Sequence, residues 1–281
     1  MAASLNPYIT ACGEEFDAGK SSQYRLTIQF ALGGLSYALL DTGDNRIIAL
    51  ECYQSDLLSD SNDLFHTLER ALESKGLNNK AFASVTCIVD ERINTLVPEA
   101  LYQPEESEKY LSFGYNLPSG YAMMADRLAC KAVNLYALPL TLKNKVLAKW
   151  PEAKITHSSS LFINSLPYTE RPTVFVNVRN RDFDMAVAKE GQLAFFNNFR
   201  FNTKDDFAYF LVFAMEQNGL SGQDTPVCLT GLIRPASEII DLCGRYVSDL
   251  RFVEDPHILQ ISEALGEVPF QYYFIHYQSL R

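Results

Sequence analysis

Two stretches of this chain repeat one order of elements, and that repetition limits the folds open to it. In residues 172–231, Thr173-Val-Phe-Val-Asn-Val-Arg179 alternates β-formers as a strand does. Asn180 to Asp182 suits a tight turn. Phe183 to Ala188 reads as a second strand, Glu190-Gly191 as the next turn, and Leu193 to Phe201 as a third strand. Thr203 fits a helix N-cap with Asp206 three residues on, the helix runs from about Lys204 to Asn218, and Gly219 closes it. Pro226-Val-Cys-Leu-Thr230 is a short buried-type strand ending at Gly231.

Residues 24–90 read the same way. Leu26 to Phe30 is a strand, Gly33-Gly34 a turn, Leu35 to Leu40 a strand, and Thr42 to Asn45 a strong turn signal. Ile47 to Tyr53 is the third strand, Asp63 to Lys75 the helix, and Gly76 its cap. The two helices align at a constant offset: Asp63 with Asp206, Leu68 with Leu211, Ala71 with Ala214, Gly76 with Gly219. Shared caps and apolar periodicity recur in unrelated helices. The matched order of elements is the stronger sign of duplication.

Three meandering strands, a crossover helix and a strand returning parallel to the first make an RNase H-like unit, with a right-handed crossover. The expected fold class is therefore α/β: two tandem RNase H-like halves, mixed sheets of β-β-β-α-β type, and helices on both faces. The expected division is 1–168, with a polar lead over 1–22 and an insertion around 98–130, and 169–281. Leu166 to Pro172, with two prolines, is the hinge.

Composition excludes several classes. Hydrophobic residues make up 47%, with 18 Phe and 15 Tyr, as a folded globular chain requires. Residues 1–170 carry 14 basic and 20 acidic side chains, net −6, and residues 171–281 carry 10 and 14, net −4. Neither half offers the basic face that phosphate backbones need, so nucleic acid is not an expected partner. Six cysteines with no C-x-x-C pair suit buried free thiols in a reducing cytoplasm. The longest apolar run, Phe207 to Met215, is far short of the ~20 residues that span a bilayer, and residues 1–22 lack a signal-peptide pattern.

The remaining segments read as follows. Ala18-Gly-Lys-Ser21 resembles a P-loop only as text, because Glu14 stands where the first glycine belongs; it reads as a surface turn. Tyr121 to Cys130 and Val133 to Leu138 suit strands, Pro139 to Trp150 a helix with a solvated lysine face, and Ser158 onward a short helix. Ala236 to Val247 and His257 to Leu265 read as helices, and Phe270 to Tyr277 as strand or helix. His157, beside Ser158-Ser-Ser160, reads as a satisfied surface histidine, since no G-x-S-x-G elbow exists. His66, His257 and His276 show no metal-ligand spacing.

The stretch from Leu26 to Phe30, with Gly34-Leu-Ser-Tyr-Ala-Leu-Leu-Asp41, resembles the opening of a bacterial family of unknown function with an actin-like ATPase fold. More distantly, the layout is similar to the cytoplasmic actin-like proteins of type IV pilus and type II secretion assembly. The resemblance implies a nucleotide cleft between the halves, built from a D-x-G-[ST] hairpin, a second acid-glycine hairpin and a glycine-rich adenosine strand end. This chain departs from all three. Its first hairpin, Ala31-Leu32-Gly33-Gly34-Leu35-Ser36, keeps glycines and a hydroxyl but no acid. Asp41-Thr-Gly43 lies at the opposite end of the strands. The second hairpin is Arg179-Asn180-Arg181-Asp182, without glycine, and the adenosine strand keeps one, Gly231. Asp90 or Glu91 is the acid left after the fourth strand.

The cleft candidates implied are Gly33, Gly34, Ser36, Asp90, Glu91, Arg179, Arg181, Asp182 and Gly231. Read alone, the tip acids and both arginines are solvated loop charges and the glycines a plain turn. The expected function is a cytoplasmic scaffold or adaptor with an eroded nucleotide site, no catalytic residues, no metal and no cofactor. Its partner would be another protein, with no direct membrane insertion. The alternative is a weak Mg-ATP-binding ATPase or phosphotransferase, with Asp90, Glu91 or Asp182 holding Mg²⁺.

Overall fold

The computed structural model describes residues 6–31, 33–56, 58 and 60–281. The expected polar lead therefore lies outside the described residues at Met1–Leu5, and so does Leu32 of the first hairpin.

In chain order the elements are β1 (Ile9–Cys12), β2 (Tyr24–Ala31), β3 (Gly34–Asp41), β4 (Arg46–Gln54), α1 (Ser61–Ser74), β5 (Ser84–Asp90), β6 (Asn94–Pro98), α2 (Ser107–Ser112), β7 (Tyr121–Leu128), β8 (Ala132–Pro139), α3 (Leu140–Lys149), β9 (Lys154–His157), α4 (Ser158–Ser165), β10 (Thr173–Val178), β11 (Asp182–Lys189), β12 (Gln192–Arg200), α5 (Lys204–Gln217), β13 (Val227–Gly231), α6 (Glu238–Cys243), β14 (Leu250–Phe252), β15 (Gln260–Ile261) and α7 (Phe270–Leu280). None of the described helices is long and apolar enough to cross a membrane.

The first large sheet has the order β1-β4-β3-β2-β5-β9, and the second β12-β11-β10-β13-β14. Leave out β1, and both read third, second, first, fourth, fifth strand of their copy. The first three strands are antiparallel, and the fourth returns parallel to the first: Ile28 faces Cys87 and Val176 faces Leu229. The duplicated β-β-β-α-β plan is thus a property of the structure.

Each sheet has its own core. In the first, Leu26, Ile28 and Phe30 alternate along β2 and pack with Leu68 and Leu72 of α1 and Leu142 and Val146 of α3. In the second, Val174, Val176 and Val178 play the β2 part against Phe207, Leu211 and Met215 of α5. A fully buried leucine such as Leu68 or Leu211 contributes about 1.5–3 kcal/mol relative to exposure. The capping box that starts α5 forms as its sequence requires: Asp206 N–H donates to Thr203 Oγ1, and Thr203 N–H donates to Asp206 Oδ2.

Several expectations are corrected. The lead carries β1, which pairs antiparallel with the outer edge of β4, and Ala18–Gln23 is a 3-10 helix capped by Asp17. Residues 257–265 are not a helix. His257 stands at φ +52, Gln260–Ile261 forms β15 parallel to the start of β4, and only Glu263–Leu265 turns as 3-10 helix. Together β1 and β15 cover an edge that would otherwise expose unpaired backbone. The insertion is a third sheet, β6-β8-β7, whose short strand β6 carries no periodic signal of its own. Phe270–Leu280 is a helix with a kink at Tyr273.

By its contacts the chain falls into two compact units, each made of more than one segment. One holds Met1–Leu161, His257–Val268 and His276–Arg281, the other Phe162–Pro256 and Pro269–Ile275. β15 accounts for part of this, since it is hydrogen-bonded into the first sheet.

Candidate functional site

In the first unit the β2–β3 turn, the end of β5 and the end of β9 lie at one end of the sheet, where parallel strands present their carboxyl termini. Ligands of open α/β sheets bind at such ends. The turn is engaged with the protein itself. Gly33 N–H donates to the Leu58 carbonyl at 2.9 Å, and the Gly33 carbonyl accepts from Ser55 N–H at 3.0 Å. Gly34 is already the first residue of β3. Ser36 is two residues further in, opposite Gln29, and its hydroxyl lies 2.7 Å from His276 Nε2. His276 is 1% exposed, and desolvation lowers its pKa to about 3, so the ring is neutral.

Asp90 ends β5 beside Ala31. Its carboxylate accepts from Gln29 Nε2 at 3.3 Å and from Ser158 Oγ at 2.5 Å. His157 is not on the surface, as its sequence suggested, but 1% exposed. Its Nδ1 accepts from Ser159 N–H at 3.1 Å, so Nε2 carries the proton and donates to the Glu91 carbonyl at 2.7 Å. Beyond it stands Asp126, whose Oδ2 accepts from Thr156 Oγ1 at 2.8 Å and from His157 N–H at 2.9 Å. Nothing in sequence spacing links Asp126 to His157; the third sheet brings it there.

Glu91 differs from its neighbours. Its side chain borders a cavity of about 290 Å³, walled by Phe30, Leu64, Val89 and Leu142 and edged by Tyr121 and Thr141. The heads of α1 and α3 complete the wall. Among the described residues none hydrogen-bonds its carboxyl group. Desolvation, with Asp90 adding repulsion, raises its pKa from 4.5 to about 7. A value raised in the folded state means that the carboxyl favours folding fully below about 4.5, and that this contribution is lost as pH rises through about 7. At ~1.4 kcal/mol per pH unit the upper bound is roughly 3 kcal/mol. Glu91→Gln should therefore match the parent in denaturant at pH 4.5 and exceed it by about 2 kcal/mol at pH 8. Equal stabilities at pH 8 would refute this account of the carboxyl.

In the second unit the β10–β11 turn is a closed ionic network. Arg179 donates through Nη1 and Nη2 to both oxygens of Asp184, at 2.7 and 2.8 Å, and through Nε to Asp182. Asn198 Nδ2 reaches Asp184 at 3.1 Å and Asp182 at 3.3 Å. Asp184 is fully buried. It stands on the inner run of β11, where the alternation hid it among apolar residues. Arg179 is thus not a solvated loop charge, whereas Arg181 is exposed at the turn. Gly231, at the end of β13, faces Val178 of β10, and a Cβ there would lie 2.1 Å from the Val178 carbonyl oxygen. This close approach of two strands accounts for the glycine without any ligand. Among the described residues no group of three or more His, Cys, Asp and Glu side chains could hold a metal ion.

Residues 13–250 match the model of a family described as a protein of unknown function, DUF3822. In sequence, no curated protein matches the chain. In structure, it is similar to a protein from Bacteroides thetaiotaomicron VPI-5482 with an actin-like ATPase fold and unknown function. That likeness has a TM-score of 0.78 and 15% identity, and it covers 94% of this chain and 98% of that one. A chain of the PilM–PilN type IV pilus biogenesis complex follows at TM-score 0.60 and 12% identity, covering 91% and 96%. The cytoplasmic domain of EpsL, an inner-membrane component of the Vibrio cholerae type II secretion system, reaches only 0.45 at 11% identity, covering 84% and 90%. The first two likenesses show the fold: this chain has the actin-like ATPase architecture.

Proposed function

The chain belongs to the DUF3822 family, and we propose that this member is a cytoplasmic, non-catalytic actin-like protein that serves another protein as scaffold or adaptor. One observation carries the reading: at the nucleotide-motif positions Gly33, Ser36, Asp90, Arg179 and Asp182 are bound to the protein itself, and Glu91 is the exception. Gly33 N–H is held by Leu58, Ser36 by His276, Asp90 by Ser158 and Gln29, and Arg179 and Asp182 by each other. A phosphate-binding hairpin instead presents unsatisfied backbone N–H groups and an acid free to orient Mg²⁺ through water. The PilM–PilN complex, of similar fold, is itself an assembly of two proteins, and six free thiols suit a reducing compartment.

An exposed aromatic pair gives the partner surface a starting point. Tyr209 and Phe213 of α5 are 61% and 43% exposed and stack at 5.7 Å between ring centroids. Interface hot spots are enriched in such rings. Thermal unfolding with and without millimolar Mg-ATP tests the reading. A ligand at about 100 times its Kd adds roughly 2.7 kcal/mol, a rise of roughly 5–10 °C for a domain of this size. The expected result is no shift. Tyr209→Ala with Phe213→Ala should then leave the melting temperature within about 2 °C and release a partner that the parent retains. A clear rise with Mg-ATP, or measurable hydrolysis, would instead favour the weak ATPase, with Glu91 as the acid still open to an ion.

A further inference from the structure

The cavity beside Glu91 is not used by the scaffold reading, and its chemistry points to one class of ligand. Its volume of about 290 Å³ sits near the lower end of the range for small-molecule sites. Its walls are largely apolar, as an organic body requires. Among the described residues that line it, two carry carboxyl groups, Asp60 and Glu91, and none is Lys, Arg or His. Asp60 is already engaged, since its Oδ1 accepts from Asn62 N–H at 2.7 Å and Asp63 N–H at 3.0 Å and so caps α1. Glu91 is not, for its carboxyl group meets no donor among the described residues.

An anion would meet the positive ends of α1 and α3 but would enter against two carboxyl groups, one of them the uncapped Glu91. A neutral apolar molecule would bury Glu91 further without satisfying it, at a cost of desolvation. A protonated amine removes the difficulty, because an ammonium brings three N–H donors and the compensating charge. Ser61 and Thr141, which also line the cavity, carry hydroxyls that can act as further acceptors. We propose that this cavity binds a small primary amine carrying an apolar body, with Glu91 as its counter-ion. The site lies wholly within the first unit.

Among the described residues the titratable and charged groups nearest Glu91 are Asp90 and Arg92 on either side of it in the chain, Asp60 at the head of α1, Tyr121 on β7, and His157 at the end of β9, which holds its carbonyl. Tyr121 is raised by burial and by Glu91, and so stays neutral. Amine binding needs Glu91 ionised while the amine stays protonated. Affinity should therefore climb as pH rises from 6 to 8, since Glu91 titrates at about 7.

Isothermal titration of the full chain with phenethylamine and n-butylamine, beside phenethyl alcohol and n-butanol, tests this. At least one amine should bind about tenfold tighter at pH 8 than at pH 6, as a single ionisation near neutrality dictates, and tighter than its alcohol at pH 8. Glu91→Gln should abolish both the pH dependence and the preference for amine over alcohol. That variant is expected to fold, because it removes a buried charge. No heat from either amine at millimolar concentration, equal affinity for amine and alcohol, or an unchanged amine affinity in Glu91→Gln would each overturn the proposal.

Discussion

Arg179→Met is expected to cost about 3–5 kcal/mol of stability, a fall in Tm of roughly 10 °C. Asp184 is 0% exposed and receives both terminal guanidinium nitrogens of Arg179. Removing the arginine leaves a carboxylate inside the second sheet without its two-pronged cationic partner, while Asn198 Nδ2 still reaches it at 3.1 Å. An uncompensated buried charge is the costly outcome, more than the loss of the pair as such. Replacing both partners, R179M with D184L, should therefore recover part of the loss, because the fully buried carboxylate is gone while Asp182 still loses Arg179 and Asn198 still loses Asp184. Urea unfolding of the two variants decides the matter. A loss below about 1 kcal/mol in the single variant would mean that water reaches Asp184 and that the network is a surface feature.

Gly231→Ala should be nearly as severe, at roughly 3–5 kcal/mol, combining backbone strain with a collision. Gly231 sits at φ +88, and its added Cβ would lie 2.1 Å from the Val178 carbonyl oxygen and 2.7 Å from the Val178 nitrogen. Both are backbone atoms of β10, held by Leu232 N–H donating to the Val178 carbonyl at 2.7 Å, so no side chain can swing aside. Gly120→Ala is the control. Gly120 has a similar φ, +77, but nothing within 4 Å of its Cβ position. It should lose only the conformational term, about 1–2 kcal/mol. If both alanines cost the same in urea, the strand collision at Gly231 is not what demands glycine.

These two sites mark how far the sequence can be read. Arg179 and Asp182 are visible in it as a turn, and Gly231 as a strand end. What each does is not. The sequence places Arg179 three residues from Asp182 and five from Asp184, but a hairpin register is needed to turn both carboxylates toward one guanidinium. The resemblance to nucleotide-binding proteins gives Gly231 a ligand to accommodate, whereas the neighbouring strand already requires its missing Cβ. Ser36 groups with the turn in the sequence because the chain runs through it. In the sheet it is two residues past the turn, bonded to a histidine 240 positions away.

Local patterns alone carried the duplicated order of strands and helix, because alternation, caps and turn residues are short-range properties that survive without tertiary context. The caps of α5 and the parallel return of each fourth strand followed from them. Tertiary structure alone decided four things: the pairing of β1 and β15 with β4, the third sheet, the burial of His157 and His276, and the placing of Glu91 at a cavity while Asp90 beside it accepts from Gln29 and Ser158. The reason is physical. Strand pairing, desolvation and cavity shape depend on atoms far apart in sequence, and two adjacent acids with the same local surroundings can turn toward opposite environments.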